Sequence, residues 1–311
     1  MWTADAWKDY ELIDCSGGER LERWGSEILI RPDPQVIWNT PRSNILWGQA
    51  GARYQRSQTG GGHWEANDLP DDWPIEYQDL TFHIKPMNFK HTGLFPEQAS
   101  NWEFARAQIA RRPVPESPEP QKGLLSGLLT RPNAEAGPVR VLNLFAYTGG
   151  ATVACAKAGA SVCHVDAAKG MVAWAKENAR LSGLAKAPVR WIVDDCVKFV
   201  EREIRRGRRY DAIIMDPPSY GRGPGGELWK IEEQLYDLVK LCVGALSERP
   251  LFFLISSYTT GLAPSVTGYL LNLLLKPRYG GTVVWDELGL PVTETGLVLP
   301  CGAAGRWYAD S

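Results

Sequence analysis

The chain has 311 residues, 44% of them apolar and 23% charged, with a formal net charge of −2; that is the balance of an ordinary soluble protein with room for one large or two modest domains. No run reaches membrane-spanning length and the first residues lack a signal-peptide pattern, so the expected setting is cytoplasmic. Six cysteines (15, 155, 163, 196, 242 and 301) include no C-x-x-C pair, which favours buried free thiols over a disulfide framework or a metal site.

Residues 1–89 read as a small β-rich N-terminal domain. Eight of the thirteen tryptophans precede residue 103, among short β-like runs broken at Ser16-Gly17-Gly18, at Arg31 to Pro34, at Asn39 to Pro41 and at Gly60 to Gly62. The clearest strands are Glu27 to Arg31 and Ile75 to Lys85, the second alternating Tyr77, Phe82 and Ile84 with polar neighbours. Its aromatics are either a base-stacking platform or, the favoured reading, simply the core. Residues 90–138 are a helix and a linker. Pro96 to Arg112 places Gln98, Trp102, Ala105 and Ile109 on one helical face. Pro113 to Pro138 carries six prolines, and its apolar Leu124 to Leu129 should dock somewhere.

Residues 139–311 read as the catalytic domain, in which strands and helices alternate. The strands are Val139 to Phe145, Ser161 to Val165, Val189 to Val193, Ala212 to Met215 and Leu251 to Ser256. The helices are Ala151 to Ala158, Lys169 to Ser182, Cys196 to Arg206, Glu227 to Leu246 and Pro264 to Leu275. Thr282 to Leu288 and Gly296 to Pro300 then predict an antiparallel closing pair. The whole is an α/β, Rossmann-like sheet.

Two stretches carry the chemistry. The first strand runs into Thr148-Gly149-Gly150, where glycines let a ligand approach the backbone and the next helix offers free N–H groups. The second strand ends in Asp166, an acid placed to bond a ribose diol roughly twenty residues on. A bare turn, a dinucleotide site and an S-adenosylmethionine (SAM) site all use this geometry. The dinucleotide fingerprint Gly-x-Gly-x-x-Gly is missing, and the fourth strand ends in Asp216-Pro217-Pro218-Ser219-Tyr220. Two prolines after a strand stop the ladder and stiffen a loop at the sheet's ligand edge, which suits a SAM-dependent methyltransferase.

Asn143-Leu-Phe-x-Tyr-Thr-Gly149, His164-Val-Asp166-Ala-x-Lys169, Asn178, Ser182-Gly183-Leu184, Asp194-Asp195 and Asp216-Pro-Pro-Ser219 resemble the bacterial 23S ribosomal RNA large-subunit methyltransferases, of the 5-methylcytosine and 7-methylguanine type. So does Lys90-His91-Thr92-Gly93-Leu94-Phe95-x-x-Gln98 upstream. The resemblance implies SAM as cofactor and an RNA partner, in the first place ribosomal RNA. It implies that Thr92, Phe95, Gln98 and Trp102 lean over the cofactor, and that Asn143, Phe145, Tyr147, Thr148, Gly149 and Gly150 wrap its methionine end. Asp166 with Ala167, and Lys169, would meet the ribose. Asp194, Asp195 and Cys196 would meet the adenine, with Asp195 taking its amine and one of the two acids capping the next helix. Asp216, Pro217, Pro218, Ser219 and Tyr220 would position the acceptor, with Tyr220 stacking on a flipped base and Asp216 also touching the cofactor.

One departure matters. Members that make 5-methylcytosine attack with a cysteine after the fourth or fifth strand, and here those places hold Ser219 and Ser256-Ser257. A neutral serine is a poor substitute for a thiolate, which turns the expectation toward a nitrogen acceptor. The arginine clusters at 111–112 and 202–209 read as solvated helix ends. Other enzymatic readings are a protein or small-molecule acceptor; the non-enzymatic one is an inactive nucleotide-binding module.

Overall fold

The computed structural model describes residues 1–57, 61–66, 69–87, 90–112, 137–222 and 228–310. The proline-rich linker with Leu124 to Leu129, most of the Gly221–Gly226 loop and part of the Gly60–Gly62 break lie outside them.

The chain opens with β1 (Trp2–Thr3), followed by β2 (Tyr10–Ser16), β3 (Glu19–Trp24), β4 (Glu27–Pro32), β5 (Ala52–Arg56), β6 (Gly62–Ala66), β7 (Trp73–Tyr77) and β8 (Leu80–Ile84). Strands β2 to β6 form one sheet, antiparallel except for β4–β5, and β7–β8 form a hairpin. The run Ile75 to Lys85 is therefore two arms rather than one strand. Both arms bury alternate residues, so their patterns join in sequence, and the turn rests on Gln78 in the left-handed region (φ 53°). Strand β1 leaves this group altogether and joins the large sheet.

A 3-10 turn at Pro96–Gln98 leads into α1 (Ala99–Ala110), which buries Trp102, Ala105 and Ile109 as their spacing requires. Then come β9 (Arg140–Leu144), α2 (Gly150–Lys157), β10 (Ser161–Asp166), α3 (Lys169–Leu181), β11 (Val189–Val193), α4 (Cys196–Arg205) and β12 (Ala212–Met215). The end of the chain holds β13 (Tyr220–Arg222), β14 (Leu228–Lys230), α5 (Ile231–Val243), β15 (Phe252–Ser257), α6 (Pro264–Leu274), α7 (Lys276–Tyr279), β16 (Thr282–Pro291) and β17 (Val298–Tyr308). The predicted helix from Glu227 thus starts later, because Leu228–Lys230 pairs with Tyr220–Arg222 as a short ribbon. The last strand runs past Pro300 to Tyr308, pairing with β15 as well as β16.

The large sheet has the order β1-β16-β17-β15-β12-β9-β10-β11. Its central strands β9, β12 and β15 are apolar and buried on both faces, since helices cover both sides. The order reverses beside β9, which pairs with β10 on one side and β12 on the other. A crevice opens at such a switch point, outside the carboxyl ends of the strands.

Of the eight tryptophans before residue 103, Trp24, Trp73 and Trp102 are core, Trp2, Trp7, Trp47 and Trp64 are half-buried, and Trp38 is exposed. Trp24 and Trp73 are buried in one cluster with Trp102 and with Val153 of α2, so the small sheet and the catalytic sheet share apolar packing. Asn178 of α3 adds a polar tie: its Oδ1 accepts from the His83 N–H (2.8 Å) and its Nδ2 donates to the Thr148 carbonyl (2.8 Å).

Candidate active site

A cavity of about 900 Å³ lies at the switch point. One wall is the turn after β9. Phe145 and Tyr147 both sit in the left-handed region (φ 54° and 50°), an unfavourable place for non-glycine residues that something must hold. Asp166 does part of this: its Oδ2 accepts from the Tyr147 N–H and its Oδ1 from the Ala168 N–H, each at 2.8 Å. Gly149 (φ 84°) completes the turn, and the Thr148 hydroxyl donates to the Gly93 carbonyl, fastening the turn to the upstream segment.

The next wall is the start of α4. Asp195 caps this helix, accepting from the Lys198 N–H at 2.9 Å, and still lines the cavity. Asp194 turns away to pair with Arg202. The two acids therefore do not divide cap and cavity between them; Asp195 occupies both places. Cys196 lines the cavity too, its thiol accepting from the Phe145 N–H, and burial pushes its pKa up to about 12.

The third wall is the loop after β12. Asp216, Pro217, Pro218 and Ser219 all face the cavity. The loop is held from outside: Trp229 Nε1 donates to the Pro218 carbonyl (2.6 Å), Ile231 N–H to the Ser219 carbonyl (3.1 Å), and the Ser219 and Thr259 hydroxyls bond at 2.7 Å. Burial, and then the nearby charge of Glu97, raise the Asp216 pKa to about 7. Tyr220 points outward, 57% exposed, and is not among the lining residues.

Of the other expected residues, Phe95 and Ala167 line the cavity. Gln98, Trp102, Asn143, Thr148 and Gly150 surround a small side recess instead, which Phe95, Phe145, Tyr147 and Asp216 also border. Thr92 is fully buried behind the wall, Gly149 packs against Ala175, and Lys169 is exposed at the start of α3; these three are not brought to the cavity.

The sequence reading missed the fourth wall. Arg20 and Arg31, opposite each other on β3 and β4, reach the cavity with Asp33, and Glu97 and Tyr258 join them from the catalytic side. Arg20 pairs with Asp33, and Arg31 makes a two-pronged pair with the buried Glu22 (2.6 and 2.8 Å). Glu97 stands inside the matched upstream segment, between Phe95 and Gln98, which was a usable signal; nothing local in the sequence marks the two arginines.

The residues fit SAM. Asp166 keeps lone pairs beyond its two backbone bonds, and Tyr147, which lines the cavity, has a buried hydroxyl with no partner among the described residues. The cavity has the size and mixed polarity of a cofactor site with room for an acceptor.

Residues 129–241 match the family model described as S-adenosylmethionine-dependent methyltransferase. Among curated relatives, the ribosomal RNA large subunit methyltransferase K/L of Shewanella frigidimarina (strain NCIMB 400) is 38% identical over 107 residues, 32% of this chain and 15% of the relative. That of Shewanella baltica (strain OS155 / ATCC BAA-1091) is 43% identical over 82 residues, 26% of this chain and 11% of the relative. The chain thus spans only a small part of the length of the curated relatives it matches. Among solved structures, SMU.776 complexed with SAH shares the fold (TM-score 0.67, 18% identity, 97% of this chain and 76% of that one). The SAM-dependent methyltransferase from Agrobacterium tumefaciens superposes with a TM-score of 0.85 at 32% identity, over 99% of this chain and 93% of that one. A likeness of that identity over nearly the whole of both chains places this one among the SAM-dependent methyltransferases, and it belongs to that family.

Proposed function

We propose that the protein methylates a base of RNA, ribosomal RNA in the first place, at a nitrogen atom. The observation that carries this reading is the shared cavity: the Asp216-Pro-Pro-Ser219 loop faces the same space as Asp166 and Asp195. Bound SAM supplies a methyl group on a positively charged sulfur. Asp166 would hold its ribose hydroxyls and Asp195 its adenine amine, while Phe145 and Tyr147 shape the turn around it. The chain's remaining task is to place a nucleophilic atom in line with the methyl group. The Asp216 carboxylate, on a loop stiffened by two prolines and pinned by Trp229, would accept an N–H of the acceptor and so fix its plane.

A nitrogen acceptor fits the thiols. Only Cys196 and Cys301 of the six reach the cavity, and burial pushes both pKa values far up, so neither is poised as a thiolate. The Ser219 hydroxyl is neutral and tied to Thr259. RNA rests on the likeness to the ribosomal RNA methyltransferases among the curated relatives. The cavity adds no basic pull of its own, since Asp33, Glu97, Asp166, Asp195, Glu201 and Asp216 face Arg20, Arg31, Lys90 and Lys198. A base would enter, and its phosphates would stay outside. Such an enzyme would work in the cytoplasm, and no helix among the described residues is long and apolar enough to cross a membrane.

The test is single-turnover transfer from labelled SAM to total RNA, with mass spectrometry of the digested nucleosides, beside calorimetric titration of S-adenosylhomocysteine. Asp216→Ala should cut the rate by about a hundredfold and spare cofactor binding. Normal turnover would remove Asp216 from acceptor positioning, and label found only in protein would sink the RNA reading.

A further inference from the structure

Glu97 is the least explained group in the cavity wall. It is 2% exposed, and its Oε2 has no hydrogen-bond partner among the described residues. Among the described residues it has no ion pair, since the nearby Arg20 and Arg31 are committed to Asp33 and Glu22. A buried acid left with a bare oxygen is costly, and such groups gather where a ligand completes them. Its setting is built rather than accidental. Buried Arg306 donates twice to the Asn101 Oδ1 (2.7 and 3.0 Å). Asn101 Nδ2 donates to the Gln98 Oε1 (2.8 Å), and Gln98 Nε2 donates to the Tyr258 hydroxyl (2.8 Å). Because the phenol oxygen already accepts, its own proton is free to face the neighbouring Glu97 carboxyl. Burial raises the Glu97 pKa, against the charges of Arg20 and Arg31 and the Tyr258 hydroxyl, which favour the carboxylate.

We propose that Glu97 is a second acceptor-binding carboxylate which works with Asp216, so that the site takes an acceptor presenting more than one N–H group, as the amino-bearing edge of a nucleobase does. Two carboxyls in one cavity offer two hydrogen-bond acceptors on adjoining walls, and a base edge with a single N–H leaves one of them bare. An amino-bearing edge satisfies both, which turns an unpaired buried polar atom into a source of discrimination. Tyr258 is then a positioning residue that holds Glu97 through its hydroxyl. This rests on the reading of Asp216 as the residue that meets the acceptor.

The test uses the full chain. Glu97→Gln and Tyr258→Phe are compared with the wild type in labelled-SAM transfer to total RNA and, separately, to a total protein extract, with S-adenosylhomocysteine affinity measured for each. Glu97→Gln should lose about ten- to a hundredfold in transfer at unchanged S-adenosylhomocysteine affinity, and Tyr258→Phe should lose less in the same direction. Label in the protein arm alone would end the RNA reading, and Glu97 would then be scored on that acceptor. Independently of any acceptor, carboxyl-carbon NMR titration should show the Asp216 midpoint falling in Glu97→Gln, as it does when a neighbouring charge is removed. Wild-type transfer by Glu97→Gln, a lost S-adenosylhomocysteine affinity, or an unmoved Asp216 midpoint would each overturn the proposal.

Discussion

Asp166 carries two duties, and a mutation there should reveal both. Its carboxylate takes the Tyr147 N–H of the strained turn and the Ala168 N–H before α3, and it faces the cofactor space. Asp166→Ala should therefore weaken S-adenosylhomocysteine binding by about ten- to a hundredfold and also lower the melting temperature, because the half-buried Tyr147 N–H of the turn loses its partner. Calorimetry and a thermal melt on the same variant separate the two. Unchanged affinity with a lowered melt would leave only the structural duty. Asp216 sets the pH dependence. Its folded pKa of about 7 lies above the ordinary 3.8, so the folded protein binds more protons than the unfolded one between those values. Its contribution to stability is greatest at low pH and falls as pH rises through that window. Activity should move the other way, rising through about pH 7 as the carboxylate forms. A rate profile flat across neutrality, beside Asp216→Asn as control, would count against an ionised Asp216 in the transfer step. At this scale the sequence was legible wherever a residue sat at the end of an apolar run: Asp166, Asp195 and Asp216 could be placed because a strand end has a predictable address. Glu97 and Tyr258 could not be paired in advance, because they meet only when the turn before α1 folds against the end of β15.

At the scale of elements, the alternation from residue 139 to α4, with β12, β15 and α6, was readable to within a residue, since buried parallel strands are unbroken apolar runs and the helices between them are periodic; the start of α5 and the end of β17 were not. The hairpin β7–β8 was hidden by its own regularity: its turn residues are Gln78 and Asp79, not the expected glycine pair, and the two arms continue each other's alternation. The contact between α1 and α2 gives a sharp test. A Cβ on Gly150 would stand 2.6 Å from the Trp102 ring. Gly150→Ala should therefore cost about 1–3 kcal/mol by overpacking, despite the better helix propensity of alanine. Chemical denaturation measures it, and the double variant with Trp102→Leu should recover part of the loss by making room. A Gly150→Ala protein as stable as wild type would show that the two helices yield freely.

For the whole molecule, the small β-rich N-terminal part and the catalytic sheet pack together. Strands β2 to β6 do form their own sheet, yet their arginines reach the cavity and their tryptophans share a core with α1 and α2. Composition could mark a change of texture near residue 89, but not which face of that part would lie against the catalytic sheet, because the answer depends on pairings between residues far apart in sequence. All six cysteines are buried, so replacing them together should lower stability through lost packing while leaving methyl transfer largely intact in the protein that remains folded. Collapse of activity traced to Cys301 or Cys196 alone, with a normal melt, would restore a covalent mechanism.

The pairing of β1 with β16 bears on how the chain comes off the ribosome. Trp2 lies opposite Leu288 and Thr3 opposite Gly289, so β1 cannot pair with β16 until synthesis has passed residue 289. The segments between can collapse earlier, but this edge of the large sheet closes only when β1 and β16 meet, a step with a long loop to close and hence a slow one. Pulse labelling during translation, followed by limited proteolysis of the nascent chains, should find the segment around Trp2 and Thr3 cleavable long after the segments that follow it have become protected.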